Sequence, residues 1–187
     1  NLCIADGRME EAIAALHRSL CILEKIHGKD SIEVAACCNN LAHAMSISGK
    51  ASQAEHLLQR SVAIMDSIGA DDTSEQDADN YCVVLQNACA VYIELEKAIL
   101  AEPLAMKAIS ILATRYGEDS QKLVGKMEIL GRSQFLQGNY SASSKTFESA
   151  LAIKMSHPSH AKRKDAATVS QSCLLLDHIG LSYMKLE

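Results

Sequence analysis

Apolar residues recur at three- and four-residue steps along this chain, in segments of about 14 to 20 residues closed by Gly or by polar clusters. That spacing lines them up on one face of an α-helix. Read with the start and stop signals at the segment ends, it predicts eight helices, over 8–27, 31–48, 51–68, 77–95, 97–116, 119–137, 140–155 and 165–186. Nothing reads as a strand, so the expected class is all-α.

The helices repeat in pairs. Ile22, Leu23, Gly28, Asp30 and Ser31 return in the same spacing as Ile111, Leu112, Gly117, Asp119 and Ser120. Gly7-Arg8 with Ala12, Leu16, Ser19 and Ile22 matches Gly49-Lys50 with Ala54, Leu58, Ser61 and Ile64, then Ala101, Ala105, Ala108 and Ile111, then Ser143, Phe147, Ala150 and Ile153. Between these lies a second element, Asn40-Leu41-Ala42, Asn87-Ala88-Cys89, Ile129-Leu130-Gly131 and His178-Ile179-Gly180. Two alternating, internally periodic elements describe an array of helical hairpins, each burying its apolar face on its neighbours.

The expected organisation is one array over 1–187, with repeat elements 1–30, 31–76, 77–118, 119–164 and 165–187, the first and last incomplete. Residues 1–6 read as the tail of a preceding helix. Ala12, Ala54, Ala101 and Ser143 are expected to be small because two helices cross closely there. Ala42, Cys89, Gly131 and Gly180 are the matching small residues on the facing helix, and Leu58 and Phe147 fill the larger hole one turn on.

Gly49 and Gly138 fall between paired helices, where a left-handed residue ends one helix before the next begins. Glu96 holds the same place in the middle pair, so that turn is expected to close by another geometry or to prolong its helix. Pro103 is tolerated only near a helix start, so regular hydrogen bonding is expected to begin close before it. Two longer connections stand out, an acidic one at 69–80 and a basic one at 156–165.

Composition narrows the core chemistry. Apolar residues make up 48% of the chain with no Trp, so packing rests on Ala, Leu, Ile, Val, Met and Cys. The seven cysteines, at 3, 21, 37, 38, 82, 89 and 173, form no Cys-x-x-Cys pair and mostly occupy apolar stripes. They read as small core residues in a reducing, cytoplasmic setting. The net charge of −5 is mixed in sign along the chain and gives no reason to expect nucleic acid or an anionic membrane as partner. No run approaches the roughly 18 apolar residues of a spanning helix.

Enzymatic signatures are missing from the sequence: no Gly-rich phosphate loop, no Gly-x-Ser-x-Gly, no His-Glu-x-x-His. His157 and His160 lack further ligands and read as part of a solvated turn, and Lys162-Arg163-Lys164 as a solvated loop. No catalytic residue, metal site or cofactor is expected.

Leu130-Gly131, Gly138-Asn139-Tyr140, Phe147 and Ala150 together resemble the tetratricopeptide repeat, with Ser143 where that family usually carries Ala. Asn39-Asn40-Leu41-Ala42, Gly49-Lys50, Ala54-Glu55, Ala101-Glu102-Pro103-Leu104 and Lys107-Ala108 are similar to the 42-residue repeats of kinesin light chains and nephrocystin-like proteins. The resemblance implies a right-handed superhelical solenoid of antiparallel helix pairs whose first helices line a concave groove. Matching those helices residue by residue gives Asn39, Asn40, His43 and Ser46, then Gln86, Asn87, Ala90 and Glu94, then Glu128, Arg132 and Phe135, then Asp177, His178, Leu181 and Lys185.

Asn40 and Asn87 occupy equivalent slots, and an amide there donates to and accepts from a peptide backbone. The implied function is a non-catalytic module that binds a linear peptide or helix of a partner protein in the groove. The alternative is a structural building block of a larger transport or ciliary assembly, associating with itself through end helices or through convex-face contacts.

Overall fold

A computed structural model describes residues 2–69, 74–156 and 166–186. The helices are α1 (Leu2–His27), α2 (Ile32–Ile47), α3 (Ala51–Ile68), α4 (Glu75–Glu94), α5 (Ala98–Tyr116), α6 (Gln121–Leu136), α7 (Tyr140–Ser156) and α8 (Ala166–Met184). The described residues contain no strand, in agreement with the all-α class. The chain divides into two compact units, Asn1–Glu96 and Lys97–Glu187.

In the first unit α2 packs on α1, α3 and α4, and α3 on α4. Val34, Ala35, Cys38, Leu41, Ala42, Ala54 and Leu58 are buried there, the small residues letting the backbones approach. Ser61, buried in α3, donates its hydroxyl across the crossing to the carbonyl of Ala35 at 2.7 Å. The turn after α1 is held by Arg60, which pairs with Glu24 at 2.6 Å and donates to the Lys29 carbonyl at 3.0 Å. Burial works against the Arg60 charge, but the hydrogen bond to Glu24, with the negative charges around it, more than offsets this and raises the guanidinium pKa. Burial pushes the thiol of neighbouring Cys38 up.

In the second unit α6 packs on α5 and α7, and α7 on α8. Val124, Phe147, Ala150, Ile153 and Leu175 make its core, flanked by Met127, Leu151 and Ile179. Ser133 donates to the Ala98 carbonyl at 2.7 Å and Ser143 to the Gly131 carbonyl at 2.8 Å, repeating across two further crossings the bond made by Ser61. Gly131 is required: a Cβ there meets the Phe147 ring at 2.8 Å.

The repeated Gly…Ser phrase is a stop followed by a start. Gly28 and Gly117 leave α1 and α5 with φ of 86° and 85°. Ser31 and Ser120 then cap α2 and α6 by accepting from the backbone N–H of Val34 and Lys122. Ser74 does the same for α4, accepting from the N–H of Asp77 and donating to its carboxylate at 2.6 Å.

Several details differ from the sequence expectation. Residues 2–7 continue α1 through Gly7, because one glycine costs a helix only about 1 kcal/mol and does not end it. The acidic connection is shorter than expected: Glu75 onward is helix, the acids of its first turn facing the positive end of the helix dipole. Glu96 closes its turn by the same left-handed geometry as the glycines, with φ of 59° and its N–H on the Ile93 carbonyl. Cys21 is exposed, whereas Cys37, Cys38, Cys82 and Cys89 are buried. Ala12 and Gly180 are also exposed, and a Cβ added at Gly180 meets nothing. α5 begins at Ala98, so Pro103 stands in its second turn. The basic connection from 157 to 165, with His157, His160 and Lys162-Arg163-Lys164, lies outside the described residues.

Candidate partner-binding face

The residues assigned to the groove come from α2 and α4 in the first unit and from α6 and α8 in the second, and the two units use them differently. In the first unit they bond to each other. Asn87 donates from Nδ2 to Oδ1 of Asn39 at 2.9 Å, and Ser46 donates to Oε2 of Glu94 at 2.9 Å. Each bond joins α2 to α4, and the two lie seven residues, about two helical turns, apart along each helix. Asn39 is only 7% exposed, so its amide is part of the packing. Asn40, His43 and Glu94 are exposed and Gln86 is half-buried.

In the second unit the equivalent residues enclose a cavity. Glu128, Ile129 and Arg132 of α6, Phe147 of α7, and Leu174, Leu175 and His178 of α8 line a cleft of about 350 Å3. Phe147 and Leu175 are buried and form its floor, while Leu174 is 55% exposed at its mouth. The imidazole of His178 lies nearly parallel to the Phe147 ring, with centroids 4.9 Å apart and 9° between planes. Arg132 is exposed and Glu128 half-buried, one turn apart on α6. Asp177 is exposed beside His178. Three of the expected residues, Glu128, Arg132 and His178, thus converge on one apolar-floored site.

Matching the polar positions of first helices does not find the apolar lining. Ile129, Leu174 and Leu175 read simply as helix stripe, and Phe147 as filler of a helix crossing. The available signal is the run of apolar residues at 174–176 in α8, broader than one buried stripe needs.

Around Tyr183, the phenol donates to Oε1 of Glu148 at 2.6 Å. That hydrogen bond, with the charge of Glu148, raises the phenol pKa. Among the described residues no cluster of His, Cys, Asp and Glu has the makings of a metal site, and no helix is long and apolar enough to cross a membrane.

Residues 1–67 match the family model of the tetratricopeptide repeat. A comparison with curated protein sequences finds no match. Among solved structures, one crystal structure of a putative kinesin light chain with nearly identical tetratricopeptide-like repeats, from Podospora anserina, is similar to this chain. It has 17% identity and a TM-score of 0.77 over 97% of this chain and 80% of that one. BtubC (BKLC) from P. vanneervenii is similar at 18% identity and a TM-score of 0.78, over 97% of this chain and 68% of that one. Tetratricopeptide repeats serve in general as surfaces for protein–protein interaction. Residues 1–67 thus resemble the tetratricopeptide repeat in sequence, and nearly the whole chain is similar in fold to the tetratricopeptide-like repeats of a putative kinesin light chain.

Proposed function

We propose that this chain is a non-catalytic interaction module and that it holds a linear peptide or a helix of a partner protein at the cleft between α6 and α8. The observation that carries this reading is the convergence of Glu128, Arg132 and His178 on a cleft floored by Phe147 and Leu175. An apolar anchor residue of the partner enters between Leu174 and Phe147, and the charged pair on α6 fixes its flanking polar groups. Burying one Leu- or Phe-sized anchor contributes about 1.5–3 kcal/mol, which makes the cleft a centre of binding energy with polar contacts around it. The face of α2 and α4 contributes less, because Asn39 and Asn87 already satisfy each other. The buried cysteines Cys37, Cys38, Cys82 and Cys89, which are in no disulfide, fit a reducing, cytoplasmic setting.

The test is selection of binding peptides from a displayed library on the whole chain, followed by affinity measurement on Leu174→Asp and Arg132→Ala. Both residues are exposed, so the denaturation midpoint is expected to hold. Affinity is expected to fall about tenfold or more on losing the anchor contact. Unchanged affinity in both variants would sink the cleft assignment.

A further inference from the structure

Each unit contains one helix pair that shows how a hairpin closes. In the first, α3 packs on α2 with Ala42, Ala54 and Leu58 buried, and Ser61 of α3 bonds the Ala35 carbonyl of α2 at 2.7 Å. In the second, α7 packs on α6 with the Phe147 ring seated against Gly131. At the end of that pair Phe135 and Tyr140 meet edge-on, with ring centroids 5.1 Å apart.

Two helices leave the corresponding faces uncovered, and the two faces are of opposite kinds. α8 carries the notch of a first helix: Gly180 stands in the register of Ala42 and Gly131, yet a Cβ there meets nothing. Leu176, four residues before it as Cys38 is before Ala42 and Met127 before Gly131, is exposed, and so is Met184, in the place of Phe135. α1 carries the knobs of a second helix, Ala12 and Leu16 in the register of Ala54 and Leu58 and of Ser143 and Phe147. Ala12 is exposed and Leu16 half-buried, whereas all four counterparts are buried. Ile22 is 56% exposed, against 3% for Ile64 and 9% for Ile153 in the same register. Apolar side chains held in water where their equivalents are dry mark a contact surface.

We propose that α8 of one copy of this chain packs on α1 of a second copy, completing between molecules a helix pair of the kind that α6 and α7 form within one. Leu16 of the second copy seats in the Gly180 notch as Phe147 does against Gly131. Met9 of the second copy, seven residues before Leu16 as Tyr140 is before Phe147, meets Met184 where the first pair joins Tyr140 to Phe135. Ser19 of the second copy takes the place of Ser61 and turns its hydroxyl to a main-chain carbonyl of α8.

The occupant is a second copy because the α8 face calls for a helix with a large apolar residue one turn after a small one. α1 is such a helix, with that face uncovered. The contact is heterologous, so a copy that gives its α8 face still offers its α1 face to another. A single helix crossing lies at the small end of interface areas, so the expected Kd is micromolar or weaker.

The cleft plays no part here: residues 174 and 180 are about 120° apart around the α8 axis. Sedimentation velocity on the whole chain, from about 1 to about 500 µM, is expected to show a mass that rises with concentration. Gly180→Arg and Ala12→Arg, both at exposed positions, are each expected to weaken association about tenfold or more while helix content and denaturation midpoint in dilute solution hold. Met184→Asp repeats the α8 arm at a second exposed position. Each Arg variant keeps the face that the other lacks, so an equimolar mixture of the two is expected to regain association and to stop at the dimer. A mass independent of concentration, association undiminished in either Arg variant, or a mixture no more associated than its components overturns the inference. Peptide affinity in the variants of Leu174 and Arg132 tests the proposed function separately.

Discussion

The amide nitrogen of Asn87 sits 2.9 Å from the side-chain oxygen of Asn39, and Asn39 is almost fully buried. Removing Asn87 therefore strands a buried acceptor, whereas removing the exposed neighbour Asn40 strands nothing. Asn87→Ala is expected to lower the unfolding free energy by about 1–2 kcal/mol, and Asn40→Ala to leave it unchanged. Urea denaturation of the two variants checks this. Equal stability of both would mean that the bond contributes nothing to the packing of α2 on α4.

Gly131 faces the Phe147 ring with no room for a methyl group, since a Cβ there falls 2.8 Å from ring carbons. Gly131→Ala must push back a ring that is itself fully buried and stacked on His178. The expected loss is about 1–3 kcal/mol through overpacking, larger than the small gain in helix propensity. Thermal melts supply the measurement, and Gly180→Ala, which meets open space, is the matched control expected to hold or gain stability.

Glu96 carries a left-handed backbone, φ 59°, at a place where Gly49 and Gly138 carry the same conformation without strain. Glu96→Gly is expected to stabilise the chain by roughly 0.5–1 kcal/mol by relieving the Cβ clash, less the backbone entropy that glycine loses on folding. A rise in the denaturation midpoint is the readout, and a fall would show that the Glu96 side chain contributes more than its backbone costs.

Tyr183 donates to Glu148, and that bond raises the phenol pKa above its ordinary value of about 10. A raised folded-state pKa means that the stabilisation is fully present below the ordinary tyrosine range and is lost as pH rises through the folded value. An ultraviolet titration, with Tyr183→Phe subtracted, is expected to give a midpoint above 10, and Glu148→Gln to bring it down. An identical midpoint with and without Glu148 would dismiss the pairing.

The helices and the helix breaks are legible in the sequence because both are written locally. A three- and four-residue apolar spacing specifies a buried face, and Gly followed by Ser three residues later specifies a stop and a cap. The turn at Glu96 is not legible, since its left-handed geometry is normally signalled by Gly and a glutamate gives no such signal. The small residues at Ala42, Ala54, Cys89, Ala101, Gly131 and Ser143 can be placed from the repeat register alone, and all are buried.

The candidate site is legible only in part, for a geometric reason. Aligning repeats pairs residues that are equivalent, such as Asn40 with Asn87, but neighbouring helices meet with a stagger, and the residue that touches Asn87 is Asn39. A one-dimensional register says which residues share a role and leaves open which ones touch. The cleft follows the same rule: Glu128, Arg132 and His178 read as face residues, but their meeting over Phe147 depends on how α6, α7 and α8 are stacked.

Ser61, Ser133 and Ser143 each place a buried hydroxyl on a main-chain carbonyl of the helix they cross. Alanine fits the same space but has no preference among carbonyls, so helices packed through alanine alone are free to creep along one another. Moving a helix by one residue carries each carbonyl about 1.5 Å along the axis and about 100° around it, which takes that acceptor away from the serine O–H in a dry interface. The hydroxyls act as detents, giving each crossing one seated position, and a chain with all three replaced by alanine is expected to stay helical while its pairs lose that fixed alignment.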